Sequence, residues 1–173
     1  MRALIQRVLR SSVHVDNQIV NNIEHGLCIF IGIQSDDDIS DLEYIIKKIL
    51  TIKLWPNGDK PWAQSVVDLD FSLLCISQFT LHAVTAKGAR PDFHLSMSSE
   101  QSKQIYEQLI NRLKQEYKSD KIFDGRFGAY MTVTIENDGP VTIMVDSKAR
   151  KPMQSNVVGD PSTVAEATAS NVE

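Results

Sequence analysis

Basic residues are not in excess in this chain, and long apolar runs are missing. Its 173 residues carry a net charge of −4, which argues against a protein that coats long stretches of nucleic acid, because such proteins are normally basic. A protein that grips only a short single-stranded end is not excluded. No apolar run approaches the roughly 20 residues of a membrane span, and Gln6 and Arg7 interrupt the N-terminal segment where a secretion signal needs an apolar core. We therefore expect no membrane association and a cytoplasmic location.

Cysteine is also scarce, and no metal-ligand spacing is present. The two cysteines, Cys28 and Cys75, each lie inside an apolar run, so we expect buried, reduced thiols. The four histidines are scattered singly. The acidic run 36–38 has no histidine or second acid cluster nearby, and it is better interpreted as the start of a helix than as a metal site. The sequence thus predicts no metal and no cofactor.

What is present is enough apolar sequence for one folded domain. Hydrophobic residues make up 42% of the chain, and their periodicity predicts seven or eight strands and two sizeable helices. Because strands do not alternate regularly with helices, we predict an α+β domain with a curved, largely antiparallel, barrel-like sheet flanked by the two helices. We assign residues 1–147 to this domain. Residues 148–173, which are polar and lack aromatics, are expected to form a flexible tail.

The segment 71–81 combines a buried strand with a polar end. Four consecutive apolar residues predict a strand that is buried on both faces. If the strand continues, its period of two places Gln78 and Thr80 on one face. Ser77 and Phe79 then share the other face. Hydroxyl and amide groups at the end of a buried strand are costly unless they are hydrogen-bonded, so these side chains either find local partners or face a pocket.

Two further features of this region leave alternatives open. Thr80 and His82 point the same way in a continued strand and could form a nucleophile-and-base pair, but a threonine hydroxyl is a poor nucleophile without a base at hydrogen-bond distance. His82 can equally be a surface residue beyond the strand end. Lys87 and Arg90 lie on a loop that contains Gly and Pro, from which basic side chains can reach a phosphate backbone. Ordinary solvated charges are the alternative.

A second polar segment, Asn137-Asp138-Gly139-Pro140, lies between two β-rich runs. It predicts a hairpin turn that joins a strand at 127–135 to a return strand at 141–145. A proline in such a turn is ordinary, and most Xaa-Pro bonds are trans. A cis Gly139–Pro140 bond would fix two backbone carbonyls in an unusual and rigid orientation.

Several of these segments resemble the D-aminoacyl-tRNA deacylase family, in the expected order and over about residues 1–145. The two most specific are Ser77-Gln78-Phe79-Thr80-Leu81 and Asn137 to Thr142. The other similar segments are the opening strand (1–8), the loop 87–93 and residues 127–131. Ala89 and Tyr130 are departures: Ala89 replaces an expected polar residue, and Tyr130 stands where some family members carry Asp.

The resemblance implies a homodimer whose active site lies at the subunit interface. The implied reaction is hydrolysis of the ester that joins a D-amino acid to the 3′-terminal adenosine of tRNA. The residues implied to line the adenosine and ester end, as catalytic residues, are Ser77, Gln78, Phe79 and Thr80. Gly139 and Pro140, in the cis form, are implied to reach into the partner's pocket, and the other substrate contacts are expected at Lys87, Arg90 and Phe93.

If the backbone of Gly139 and Pro140 selects D-amino acids, it would do so by excluding the side chain of an L-amino acid. Glycine has no side chain, so glycyl-tRNA should also be accepted. Backbone N–H groups near Phe79 and Thr80 are the expected donors to the oxyanion that forms on the ester carbonyl during hydrolysis. The ribose 2′-hydroxyl of the substrate is expected to assist the attack on that carbonyl. One rival hypothesis is a non-catalytic homodimer that binds nucleic-acid ends. Another is a deacylase that clears a mischarged L-amino acid, which a trans Gly139–Pro140 bond would mark.

Overall fold

A 14-residue strand, β1 (Arg2–Val15), is the strand against which much of the sheet is built. The computed structural model describes residues 1–150, which contain eight strands and two α-helices. After β1 the chain forms, in order, β2 (Gln18–Ile23), β3 (Gly26–Gly32), α1 (Ile39–Thr51), β4 (Trp55–Asn57), β5 (Lys60–Gln64), β6 (Ser72–Ser77), α2 (Ser99–Glu116), β7 (Ile122–Asp124) and β8 (Thr132–Asp146). Neither helix in the described range has the length and apolarity needed to cross a bilayer.

The main sheet is mixed and bends into a nearly closed barrel. Its order is β2-β1-β3-β6-β7, and β8 pairs with β1. Strand β1 is antiparallel to β2, β3 and β8, whereas β3–β6 and β6–β7 are parallel pairs. The first half of β1 pairs with β3 and the second half with β2, so the long strand carries the sheet around its bend. The predicted α+β class and barrel-like, largely antiparallel sheet are confirmed.

The core lies on both faces of β6, as the apolar run predicts. Leu73 and Cys75 pack in the cluster that contains the helix residues, and Leu74 and Ile76 pack in a second cluster with residues of β1, β2 and β3. The helix residues that cover the first face are Leu42, Ile45, Ile46 and Ile49 of α1 and Leu109, Ile110 and Leu113 of α2. Full burial of each such aliphatic side chain contributes roughly 1.5–3 kcal/mol. Burial on two faces is therefore what fixes the position of the strand that ends at Ser77.

Both cysteines are buried thiols within this core, as predicted. Burial raises the pKa of Cys28 to about 11 and raises that of Cys75 further. At neutral pH both thiols are therefore protonated and weakly nucleophilic.

The acidic run at 36–38 starts α1, as expected. The Asp38 carboxylate accepts from the backbone N–H of Ser40 at 2.8 Å and of Asp41 at 3.2 Å, and Asp41 accepts from the Asp38 N–H at 3.1 Å. This reciprocal pattern is a capping box. The spacing of Ser98 and Gln101 is also typical of a capping box, but only part of it forms. The Ser98 hydroxyl donates to the Gln101 side chain and caps no backbone N–H.

Two segments differ from the sequence-based expectation. Residues 53–62, whose Pro, Asn and Gly residues are typical of a turn-rich connection, instead contribute to the β4–β5 hairpin. Lys148 and Arg150, assigned to the tail, are held by Asp41 of α1: Lys148 Nζ lies 2.8 Å from Asp41 Oδ2, and Arg150 Nη2 pairs with Asp41 Oδ1. A buried carboxylate attracts both cations, so the chain stays attached past the last strand. The rest of the predicted tail lies outside the described residues.

Candidate active site

A cavity of about 610 Å³ opens at the end of β6. Its walls come from the ends of β3 and β6, the residues that follow Ser77, residues 93–97, the start of α2 and the segment 127–133. Its polar lining groups are few and come mostly from serines. The lining residues are Ile31, Ile33, Ile76, Ser77, Gln78, Phe79, Phe93, Ser96, Met97, Ser99, Ser102, Phe127, Gly128, Ala129, Tyr130, Met131 and Val133. Such an apolar cleft with a few placed polar groups suits an organic ligand.

The chain leaves strand geometry directly after β6. Residues Phe79–His82 form a short 3-10 helix, so the expected alternation of faces stops at Ser77. As a result Gln78 and Thr80 do not act as neighbours on one strand face. They meet across the turn instead, with Gln78 Nε2 donating to Thr80 Oγ1 at 2.6 Å. Ser77, Gln78 and Phe79 line the cavity, whereas Thr80 is exposed beside it.

The carbonyl groups of this turn are held in place by their hydrogen bonds. The Phe79 carbonyl accepts from Ser96 Oγ at 3.0 Å, and the Leu81 carbonyl accepts from Arg2 Nη1 at 2.8 Å. The turn is also tied to β3, because the Gln78 N–H donates to the Ile31 carbonyl at 2.8 Å. Within residues 1–150, the N–H groups of Phe79 and Thr80 have no acceptor. Unsatisfied main-chain donors of this kind can stabilise an oxyanion that develops within their reach.

The Thr80–His82 dyad is not formed. His82 is only 1% exposed and lies under Gly32, close enough that a Cβ added to Gly32 would come within 3.0 Å of the His82 ring. Burial lowers the pKa of His82, so the ring is kept neutral. The hydroxyl of Thr80 is bonded to Gln78 rather than to this ring. The 3-10 turn is the reason, because it sends His82 into the core while Thr80 stays at the surface.

Of the three predicted contacts in the loop after this turn, only Phe93 lines the cavity. Its ring packs edge-on against Phe79, with the ring centroids 5.0 Å apart. Lys87 and Arg90 lie outside the cavity walls, on an exposed loop. That loop is closed by a pair of backbone hydrogen bonds between Val84 and Asp92, of 2.7 and 2.9 Å.

The segment 138–141 is a bulge in a single strand and not the turn of a hairpin. Strand β8 pairs with β1 on both sides of it: Thr142 lies opposite Gln6 and Asn137 lies opposite Val8. Four residues of β8 thus face one residue of β1, Arg7, and they are pushed out of the sheet. The predicted hairpin is wrong because β1 is long enough to pair with both halves of what looked like two strands.

Two side chains hold this bulge. Arg7 Nε forms an ion pair with Asp138 at 2.8 Å, and Asn137 Nδ2 donates to the carbonyls of Arg7 at 2.8 Å and Val141 at 3.1 Å. Gly139 and Pro140 at its tip are exposed and do not line the cavity of their own chain. The tip is therefore a braced projection that lies outside this cavity.

No peptide bond among residues 1–150 is cis, so the cis Gly139–Pro140 form that the resemblance implied is corrected to trans. The trans isomer of an Xaa-Pro bond is favoured by about 0.5–1 kcal/mol unless the surroundings select cis. Here Gly139 makes the bend instead, with a φ of +101°.

Sequence reasoning missed several wall residues. Ser99 and Ser102 are one helical turn apart at the start of α2 and point into the cavity. The spacing of three between them can be read from the sequence. The sequence does not show which other segments of the chain form the cavity wall opposite them. Ser96 and Arg2 were missed as well, because each acts on a backbone carbonyl of the 79–82 turn and leaves no local pattern.

A barrel-like mixed sheet with an open cavity and two free main-chain donors is typical of a small α+β enzyme that binds an organic substrate at a strand end. Comparison with known proteins gives the family. A family model described as D-Tyr-tRNA(Tyr) deacylase matches residues 4–146, and this chain belongs to that family.

The relatives agree over nearly the whole described range. The D-aminoacyl-tRNA deacylase of Schizosaccharomyces pombe is 48% identical over 148 residues, which is 86% of this chain and 99% of the relative. The D-aminoacyl-tRNA deacylase of Drosophila melanogaster is 48% identical over 151 residues, 87% of this chain and 95% of the relative. The human D-aminoacyl-tRNA deacylase 1 is 43% identical over 150 residues, 86% of this chain and 71% of the relative.

Two solved structures share the fold. One, named c-Myc DNA Unwinding Element Binding Protein, superimposes with a TM-score of 0.82 at 42% identity, covering 84% of this chain and 98% of the other. The second, described as a probable eukaryotic D-amino acid tRNA deacylase, gives a TM-score of 0.70 at 19% identity, covering 83% of this chain and 97% of the other. At that identity the second comparison supports the fold alone.

Proposed function

We propose that this protein hydrolyses the ester bond between a D-amino acid, or glycine, and the 3′-terminal adenosine of tRNA, releasing the free amino acid and the tRNA. The observation that carries the proposal is the pair of unbonded N–H groups on Phe79, which lines the cavity, and on Thr80, which lies next to it in the chain. Membership of the deacylase family agrees with it. In the cell this reaction would clear mischarged tRNA during translation, and the cytoplasmic location expected from the sequence belongs to the proposal.

In the proposed reaction, water attacks the ester carbonyl, and the carbonyl oxygen becomes an oxyanion that accepts from the Phe79 and Thr80 N–H groups. Preorganised donors of this kind stabilise the transition state by about 3 kcal/mol each. Among residues 1–150, no histidine or acid lines the cavity, so in the proposal the ribose 2′-hydroxyl of the substrate assists proton transfer. The ribose oxygen then leaves on the tRNA and takes up a proton.

The adenosine fits the aromatic side of the cavity. Phe79 and Phe93 form an edge-to-face pair there, and apolar side chains make most of the wall. An adenine ring that packs against these two rings is shielded from water on one face. The adenine is uncharged, so its burial leaves no unpaired charge. Ser77 and Gln78 supply polar groups at the ester end. Lys87 and Arg90, outside the walls, are then in a position to meet tRNA phosphates rather than the terminal nucleoside.

The proposal includes a homodimer in which Gly139 and Pro140 of one subunit enter the cavity of the other. Three observations support it: the tip at 139–140 is exposed, it is held rigidly through Arg7 and Asn137, and it lies outside the cavity of its own chain. Backbone atoms positioned in this way contact the α-carbon of the amino acid irrespective of its side chain. They leave room for a hydrogen where an L side chain would project, so selection works by exclusion.

The test compares D-tyrosyl-tRNA with L-tyrosyl-tRNA as substrates of the purified protein. We expect rapid hydrolysis of the D ester and little of the L ester, because the L side chain collides with the main chain of Gly139 and Pro140. Preferential hydrolysis of an L ester would favour the rival deacylase, for which a trans Gly139–Pro140 bond was the expected mark. The names of the relatives do not favour that rival.

The non-catalytic rival makes a different prediction. A protein that only binds nucleic-acid ends would retain tRNA yet leave both esters intact. One structural relative is named for DNA binding, which is why binding and hydrolysis should be measured on the same preparation. Retention of tRNA at micromolar protein with no release of tyrosine from either ester would contradict the proposed activity.

A further inference from the structure

Tyr130 is 94% exposed although it lines the cavity. It has the largest exposure among the large hydrophobic residues of the described range. A ring of this size normally gains about 1.5–3 kcal/mol from burial. Complete exposure at the mouth of a cavity therefore suggests a ring that is covered when a ligand is bound.

The ring is on a fixed support. Residues 126–129 form a turn closed by a hydrogen bond from the Ala129 N–H to the Arg126 carbonyl at 3.1 Å, with Gly128 at a φ of +73°. Met131, on the other side, contributes to the cavity wall, and β8 begins one residue later. Tyr130 is thus placed between a closed turn and a strand, and its position on the rim is set by both.

The tRNA chain continues from its terminal adenosine, so another nucleotide of the proposed substrate must lie across this rim. If the terminal adenosine fills the cavity, the nucleotide before it must leave over the edge. Phe79, on that edge, is 56% exposed and is already packed against Phe93. Tyr130 presents a whole ring face, and every nucleobase can stack on such a face irrespective of its sequence. Arg126, exposed on the adjoining turn, can approach the phosphate that joins the two nucleotides.

We propose that Tyr130 stacks on the base of the penultimate nucleotide of the tRNA 3′ end, so that the site binds a dinucleotide and not the terminal nucleoside alone. This inference rests on the proposed function, because it takes the aminoacylated adenosine as the occupant of the cavity. It assigns to Tyr130 a role in binding and none in the bond-breaking step.

The test uses two substrates, D-tyrosyl-tRNA and D-tyrosyl-adenosine, since only the first carries the penultimate nucleotide. We expect Tyr130→Ala to lower kcat/KM for the tRNA at least about tenfold more than for the adenosine ester. Tyr130→Phe keeps the ring and should keep the parent ratio. Trp62→Ala is the matched control, because Trp62 is also exposed, at 57%, but lies on the β4–β5 hairpin and not on the cavity.

Equal losses on both substrates would overturn the inference, since they would mean that Tyr130 only shapes the wall. An unchanged ratio with full activity would overturn it too. Sedimentation of Tyr130→Ala adds a third arm: a lower oligomeric state than the parent would show that a second protein copy covers the ring. If the parent cleaves neither ester, the proposed function fails. The inference is then judged by binding of CCA trinucleotide against adenosine, where Tyr130→Ala must weaken the trinucleotide selectively.

Discussion

Gly139 has a backbone conformation that L residues rarely adopt, and its surroundings add a steric reason. Its φ is +101°, and an added Cβ would lie 2.9 Å from Arg7 Nη2 and 3.1 Å from a methyl group of Val141. The Arg7 side chain holds the bulge through Asp138, so moving it would disturb the segment it supports. At Thr80, in contrast, the side chain is exposed and its one hydrogen bond is to Gln78.

We therefore predict that Gly139→Ala lowers kcat/KM for D-tyrosyl-tRNA more than Thr80→Ala does. Backbone strain of roughly 1–3 kcal/mol corresponds to a loss of about 5- to 160-fold. Thr80→Ala keeps the backbone N–H and should lose less. Initial rates of both variants, each checked for folding by circular dichroism, decide the order. A larger loss for Thr80→Ala would assign the chemistry to the hydroxyl and count against main-chain donors.

His82 gives a pH prediction. Burial lowers the pKa of His82 in the folded protein, and the charges that face it are Arg2, the Met1 amino group and Asp37. In the unfolded chain its pKa is about 6.5, so the unfolded state takes up the proton first. The contribution of the neutral ring is complete above about pH 6.5 and is lost as the pH falls from there through the lowered pKa of the folded protein.

Urea unfolding at pH 7 and pH 5 measures this effect. The free energy of unfolding should fall between the two pH values in the parent and fall less in His82→Phe, which retains a buried ring without a titrating group. The same decrease in both proteins would show that His82 does not carry the dependence.

The pairing of distant strands, and not the local sequence, determines where the strands of this fold end. The pattern Asn-Asp-Gly-Pro between β-rich runs is a strong hairpin signal, yet β8 continues through it as one strand. The outcome depends on β1, a distant and equally long partner that pairs on both sides of the bulge. In the same way, the apolar pattern predicts β6 correctly but not the residue at which it ends. The 3-10 turn that ends it is held by Arg2, Ser96 and Ile31, which are distant in sequence.

Arg2 joins three of these elements. From β1, its guanidinium donates to the Leu81 carbonyl of the 79–82 turn and pairs with Asp146 at the end of β8, at 2.8 and 2.9 Å. The turn carries the two N–H groups that the proposed reaction uses. Arg2 is thus a positioning residue, since it orients the donors without lining the cavity.

Arg2→Gln should lower kcat about tenfold with little change in KM, because misplaced donors weaken transition-state binding more than substrate binding. Arg2→Lys can keep one of the two contacts and should recover part of the rate. Arg10→Gln is the matched control on the same strand, where the Arg10–Glu136 pair is largely exposed and contributes little. Steady-state kinetics on D-tyrosyl-tRNA give the split. A rise in KM alone, or an equal effect of Arg10→Gln, would contradict the positioning role.

At the scale of the whole molecule, the fold class, the two helices and the buried strand that leads into the site could be predicted, because each rests on apolar periodicity. The gathering of Ser77, Gln78, Phe79 and Phe93 around one cavity followed from the family resemblance rather than from local pattern. The walls supplied by α2 and by residues 127–131 could not be predicted, since a cavity arises from elements that meet in space. Surface contacts of Lys87 and Arg90 with tRNA remain predictions.

The two halves of the proposed site lie apart on one chain. The cavity lies at the end of β6, whereas the tip at 139–140 projects from the bulge in β8 and lines no wall of that cavity. In the proposed homodimer, a second copy of the chain brings its tip to this cavity. Twofold symmetry would then place two identical shared sites in the dimer.

Subunit complementation tests this claim most directly. Ser102→Trp blocks the cavity from α2, and Gly139→Ala distorts the tip, so each variant homodimer should be inactive or nearly so. In a heterodimer of the two, one site combines the intact cavity with the intact tip, and the other combines both defects. The account predicts that the purified heterodimer recovers about half of the parent's D-tyrosyl-tRNA hydrolysis. A heterodimer as inactive as its parents, or a parent protein that is monomeric and fully active, would contradict it.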